Sequence, residues 1–140
     1  MGNYLYGNFK QSLLSQNPSV DLDTDTIKVA LVSNAYTPNT NAGTSGDQYY
    51  SSVSGVIGTP ATLASKTVTG GVFDAADLTF TSVTSTATVQ KVVIYKDTGT
   101  ASNSPLIAVI DSATSGLPVT PNGGDITISW DNGANKILAL

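Results

Sequence analysis

Asp21, Asp23 and Asp25 alternate with Leu22 and Thr24 and form the one acidic cluster of the chain. Carboxylates at that spacing suit calcium, which takes six to eight oxygen ligands. The helix-loop-helix calcium pattern nevertheless fails. The sixth position from Asp21 is Thr26 where glycine is needed, and the twelfth is Val32 where a bidentate glutamate is needed. The cluster reads instead as a solvated turn that leads into a strand at Ile27. Acid–base work by paired carboxylates needs two of them converging on a cleft, and nothing in the spacing of the aspartates brings that about. Serine is abundant, but no lysine stands three residues after a serine, so the helical serine–lysine arrangement is missing.

The rest of the inventory is equally unreactive. The 140 residues include no histidine, cysteine, arginine or glutamate. Histidine is the side chain that titrates unperturbed between about pH 5 and 8. Cysteine is the strongest nucleophile near neutrality, and arginine is the preferred fork for phosphate and carboxylate. Without them a disulfide and the usual zinc site are both excluded. The expectation is a protein that is not an enzyme, has no cofactor and holds no metal. Gly70-Gly71 and Gly123-Gly124 do not lie between a strand and a helix, so they read as turns rather than phosphate cradles.

Six lysines against ten aspartates give a net charge of −4. No basic patch can form, which argues against nucleic acid and against an anionic membrane surface. Charged residues make up 11% of the chain, where about 25% is usual. Solubility then falls to serine, threonine and asparagine, or part of the neutral surface is covered by a partner. No apolar stretch nears the ~20 residues that span a bilayer. No positive region precedes an apolar run at the N-terminus, so Met1 reads as a true start of a protein made in a cytosol without a secretory signal.

The elements follow from periodicity. Leu5, Phe9 and Leu13, with Tyr6 and Leu14 beside them, predict one helix over residues 3–16, with Asn3 able to cap it and Asn17-Pro18 to end it. Gly7 weakens that helix by about 1 kcal/mol relative to alanine. Residues 27–32 read as a buried strand. Residues 34–59 read as a long loop, uncommon in a compact domain, which is either a functional excursion or hides a short strand or helical turn. Strands follow at 66–69, 72–73, 78–81, 89–95, 106–110, 117–119, 126–130 and 136–140. Gly70-Gly71 reads as a hairpin turn or bulge, and Asp131-Asn132-Gly133 as a hairpin that needs positive φ. Ile126, Ile128 and Trp130 share one face, which places the tryptophan in the core. About seven or eight short strands with Gly, Pro and Asn turns predict an all-β fold, a β-sandwich or β-barrel, with one short N-terminal α-helix in a single domain over 1–140.

Interface residues are sought where aromatic or apolar side chains fall on loops and ends. Tyr36, Tyr49 and Tyr50 lie in the long loop, and the last two, being adjacent, point to opposite faces if extended. Tyr4 lies on an aromatic-rich helix start. Leu138 and Leu140 end the chain without a polar tail, so their strand pairs within the fold or with another chain.

Several segments together resemble a known group. These are Asp-Leu-Asp-Thr-Asp-Thr-Ile-Lys-Val-Ala-Leu-Val from Asp21, Lys-Thr-Val-Thr-Gly-Gly-Val-Phe-Asp-Ala from Lys66, Ile-Tyr-Lys-Asp-Thr-Gly-Thr from Ile94, and Trp-Asp-Asn-Gly-Ala-Asn-Lys-Ile from Trp130. The chain resembles small virion structural proteins of tailed bacteriophages, and within them looks most like a capsid decoration, or cement, protein. The resemblance covers most of the chain, weakly across residues 34–59, and brings no catalytic residues. It implies a β-rich accessory protein on the outer surface of the virion capsid, bound to the major capsid protein across neighbouring subunits, often as a homotrimer. The alternative is a receptor- or glycan-binding domain of a tail fibre or tail tip.

Overall fold

The computed structural model describes residues 2–112 and 116–140. In chain order the first elements are β1 (Tyr4–Leu5), α1 (Gly7–Ser15), β2 (Ile27–Val32), β3 (Val56–Thr62), β4 (Thr67–Thr69) and β5 (Val72–Asp74). There follow β6 (Leu78–Phe80), β7 (Lys91–Lys96), β8 (Leu106–Ile110), β9 (Ile126–Ile128) and β10 (Leu138–Ala139). The fold is all-β with one short helix.

The centre is an antiparallel sheet in the order β1-β8-β7-β2-β3. Its two ends leave it open rather than closed into a barrel. Strands β2, β7 and β8 are near-continuous runs of Val, Ile, Leu and Ala, and almost every residue in them is buried. Both faces are therefore covered, since a sheet with one wet face alternates apolar with polar. Helix α1 lies against β8. Two smaller sheets, β10-β5-β4 and β6-β9, contribute Phe73, Leu78, Phe80, Ile126 and Leu138 to the same apolar cluster as Val29, Leu31 and Ile94. Trp130 joins it and donates its indole N–H to the Ala76 carbonyl at 3.1 Å.

The structure corrects several expectations. There are ten strands among the described residues, and six of them are only two or three residues long. The helix begins at Gly7, not residue 3, because Tyr4 and Leu5 pair with Val109 and Ala108. Asn3 does not cap it. Its Oδ1 accepts the N–H groups of Asp111 and Ser112, and its Nδ2 donates to the Ser112 carbonyl, so it ties the first strand to the end of β8. The loop over 34–59 holds 3-10 turns at Gly43–Ser45 and Tyr50–Ser52 and runs into β3 at Val56. Strand β3 carries Gly58 and Pro60, which argue against a strand. It is an edge strand, where a missing N–H removes no ladder bond. Val29 faces Ala61 and Leu31 faces Ile57, so Gly58, Thr59 and Pro60 bulge opposite Ala30, with Gly58 at φ +69°.

The Gly70-Gly71 hairpin is present, both glycines at positive φ between the paired Thr69 and Val72. The hairpin expected at Asp131-Asn132-Gly133 is absent. Strand β9 pairs with β6 and β10 with β5, so that segment crosses between sheets. Residues 117–119 contribute a single bridge, Val119 to Val89.

Gly7 shows why a poor helix former opens α1. Its N–H donates to the Thr40 carbonyl at 2.8 Å. A Cβ there would lie 2.5 Å from Ala42 N, 2.6 Å from Asn41 C and 2.7 Å from Thr40 O. On propensity alone Gly7→Ala would stabilise the helix by about 1 kcal/mol. Overpacking against backbone costs roughly 1–3 kcal/mol instead, so the substitution is expected to lower the urea midpoint. A raised midpoint would show that helix and loop do not touch here.

Candidate interaction surface

Residues 33–55 leave the sheet at the end of β2 and return at the start of β3. The Ser33 N–H donates to the Gly55 carbonyl at 2.9 Å and closes the base. Inside, the excursion is fastened at four places. Asn8, facing it from α1, accepts the Gly43 N–H at 2.7 Å and donates to the Gly43 and Asp47 carbonyls at 3.1 and 3.3 Å. A chain of hydroxyls forms the second fastening. Tyr36 Oη donates to Asp47 Oδ2 at 2.7 Å, and the Tyr6 and Tyr36 hydroxyls meet at 2.8 Å. Tyr36 has one proton and the carboxylate takes it, so Tyr6 is the donor to Tyr36. Asp47 Oδ2 also accepts the Asn39 N–H at 2.9 Å.

Lys91, the first residue of β7, makes the third fastening. Its ammonium donates to the Ser33 carbonyl at 3.3 Å, to Asn34 Oδ1 at 3.1 Å and to the Tyr36 carbonyl at 3.1 Å. The side chain is 5% exposed, and burial pushes its pKa below the usual lysine range. The fourth lies at the start of β8. There the Tyr50 N–H donates to Ser104 O, the Leu106 N–H donates to Gln48 O, and the Tyr50 ring stacks on Tyr95 at 4.0 Å.

What this leaves outside is neutral. Thr37, Asn39, residues 41–45, Ser51 and Ser52 are exposed. Asp47 is the one charged residue in 34–59, and its carboxylate is occupied by Tyr36 and Asn39. The crest is therefore a set of amides, hydroxyls and glycines on a backbone fastened at four places.

The interface residues expected from sequence do not form one site. Tyr36 is 3% exposed and belongs to the interior, because its hydroxyl finds two partners, the buried Tyr6 and the half-buried Asp47. Tyr49 and Tyr50 are half-buried, Tyr49 in a bridge to Pro105. Tyr4 is exposed on the edge strand β1, while Leu138 is buried opposite Phe73. Leu140 is 70% exposed. Leu138 and Leu140 instead meet in a groove of about 600 Å³ between the second half of α1, residues 19–23 and the β10-β5-β4 sheet. Its apolar wall includes Leu13, Val68 and Phe73. Asn8, Asp47 and Lys91 carry no sequence signal as anchors, although a lysine opening an otherwise apolar strand invites a search for its acceptors.

The acidic cluster is a turn. Asp21 Oδ1 accepts the N–H groups of Asp23 and Thr24 at 3.3 and 3.4 Å. Asp25 Oδ2 accepts the Asp21 N–H at 2.7 Å and pairs with Lys96 at 2.9 Å. Among the described residues no group of three or more such side chains could hold a metal ion. No family model matches the chain, and no curated protein matches it.

Proposed function

We propose that the chain is a non-enzymatic structural protein of a tailed-phage virion, which decorates the outer surface of the assembled capsid by binding across neighbouring subunits of the major capsid protein. The observation that carries this reading is the fastened, neutral crest of residues 37–52. A surface already held in its bound shape loses little conformational entropy on docking. Its contacts are neutral hydrogen bonds, so salt screens them weakly. A partner that binds the assembled state and not free subunits stabilises that state by mass action. The segments that resemble cement proteins support the same assignment.

The test is co-sedimentation with assembled shells and with unassembled capsid protein. The chain should pellet with shells, nearly independently of salt, and should ignore free subunits. In purified virions its copy number should approach that of the capsid protein rather than the handful that a tail tip carries. Thr44→Lys and Ser51→Lys alter exposed side chains of the crest and should weaken shell binding by roughly tenfold or more, as an unpaired charge in an interface does. Equal binding to free subunits, or a tail-tip copy number, would sink the proposal.

A further inference from the structure

The groove floored by Leu138 and Leu140 has a match elsewhere on the same molecule. Leu13 at 37%, Val68 at 46% and Leu140 at 70% exposure line it, and Asp21 and Asp23 stand on its rim. No lysine lines it. The two carboxylates crowd each other, and Asp21 holds the Asp23 carboxyl above the usual carboxylate range. An occupant that fits brings an apolar side chain with a cation one helical turn away.

Helix α1 carries that pair on its outer side. Leu14 is 91% exposed, the highest value for any large apolar residue described. Lys10 precedes it by four residues, so the two lie one above the other on the helix surface. Five of the six lysines are engaged within the chain: Lys28 with Asp97, Lys66 with the Asp25 carbonyl, Lys91 with its three acceptors, Lys96 with Asp25 and Lys136 with Asp74. Among the described residues Lys10 is the lysine whose ammonium meets no partner.

We infer that the groove receives a second copy of this chain, which inserts Leu14 between Leu13, Val68 and Leu140 and sets Lys10 against Asp21 and Asp23. Ridge and groove adjoin on one helix, so a two-fold axis satisfies both contacts at once, and a rotation that closes a ring satisfies them head to tail. The contact offsets locally the repulsion between two chains of net charge −4.

Sedimentation velocity and light scattering of the full chain across a concentration series test it. The wild type should form a defined oligomer. Leu14→Ser touches a side chain with almost no contacts in the fold, so its urea midpoint should stay at the wild-type value, while its dissociation constant rises by roughly tenfold or more. Lys10→Asp should weaken association, and Lys10→Asp combined with Asp23→Lys should restore it. A monomer at every concentration the chain tolerates overturns the inference, as does an oligomer indifferent to Leu14→Ser or a charge exchange that fails to rescue. Ridge and groove share no residue with the crest, so shell binding by the Leu14→Ser monomer reports separately on the capsid proposal.

Discussion

Raising the pH above about 10 should unfold this protein cooperatively, because four tyrosines are held neutral by the fold. Burial is the main cause at each: it pushes the hydroxyls of Tyr6, Tyr36, Tyr50 and Tyr95 above the usual tyrosine value of 10.0. At Tyr6 the bond to Tyr36 opposes burial and the Asp47 charge adds to it. At Tyr36 the bonds to Tyr6 and Asp47 add to it. Tyr95 is raised further by its neighbours Tyr50 and Asp97.

The sign follows from proton counts. Below pH 10 each of these tyrosines is neutral in both states, and its contribution to stability is fully present. Above it the unfolded chain releases protons that the folded chain keeps, so stability falls with rising pH. A tyrosine held fully neutral loses about 1.4 kcal/mol per pH unit, against a total stability of roughly 5–15 kcal/mol for a domain. Lys91 runs the other way, since its folded pKa is lowered, and stability rises from that value up to the ordinary 10.5. That gain ends where the tyrosine loss begins.

The share of tyrosinate absorbance that belongs to these four of the six tyrosines and the sheet signal in circular dichroism should therefore change together in one step. Tyr36→Phe removes one withheld proton and should make the alkaline loss shallower. It should also lower stability at neutral pH by about 1.5–3 kcal/mol, since Asp47 loses a donor. Tyrosinate equivalent to all six tyrosines of the chain, accumulating smoothly around pH 10 with the sheet signal intact, would show these hydroxyls to be open to water.

The parts of this fold that sequence discloses are those with a local cause. Strands β2 and β8 were legible to the residue, because each is a short β-branched apolar run bounded by polar or proline residues. The Gly70-Gly71 turn was legible because few other residues accept two successive positive φ values. Strand β1 was not, since two residues have no period, whereas β10 lies inside the strand expected over 136–140 and is only shorter than it. Strand β3 was hidden by Gly58 and Pro60, tolerable only because the strand is outermost, a fact of topology. The fastening of the crest was hidden for the same reason. Asn8 meets Gly43 and Asp47 across more than thirty residues, and Tyr6 meets Tyr36 at similar separation. Tyr36 reads as a surface tyrosine until its two partners are placed. The groove was half legible: Leu138 and Leu140 share a strand face, but Leu13 and Val68 arrive from other elements.

Lys91→Met is the substitution expected to do the most damage at neutral pH. Methionine keeps the unbranched stem and about the volume, so the core gains no large cavity and the loss reports on the ammonium alone. Two effects compete. Burial of the charge disfavours it, as its lowered pKa records, and replacing buried charges by apolar groups can stabilise when every partner is replaced too. Here they cannot all be replaced. Two of the three acceptors are the backbone carbonyls of Ser33 and Tyr36, which no side-chain change removes. Leaving a buried acceptor without a donor costs about 1–3 kcal/mol each. A hollow of about 310 Å³ beside Lys91, lined by Asn34, Thr37, Pro38 and Gln90, lets water reach some of them and holds the total near 3 kcal/mol rather than the upper sum. The orphaned groups sit where the excursion leaves β2, so the crest should loosen before the sheet does. Hydrogen exchange at the Asn39 and Gly43 amides should accelerate in Lys91→Met more than the global loss accounts for. Ile94→Val, in the same strand, should cost about 1 kcal/mol and leave those amides following global unfolding. If Lys91→Met proves as stable as the wild type with both amides unchanged, desolvation outweighs the three hydrogen bonds, and the crest is held by its other fastenings without help from Lys91.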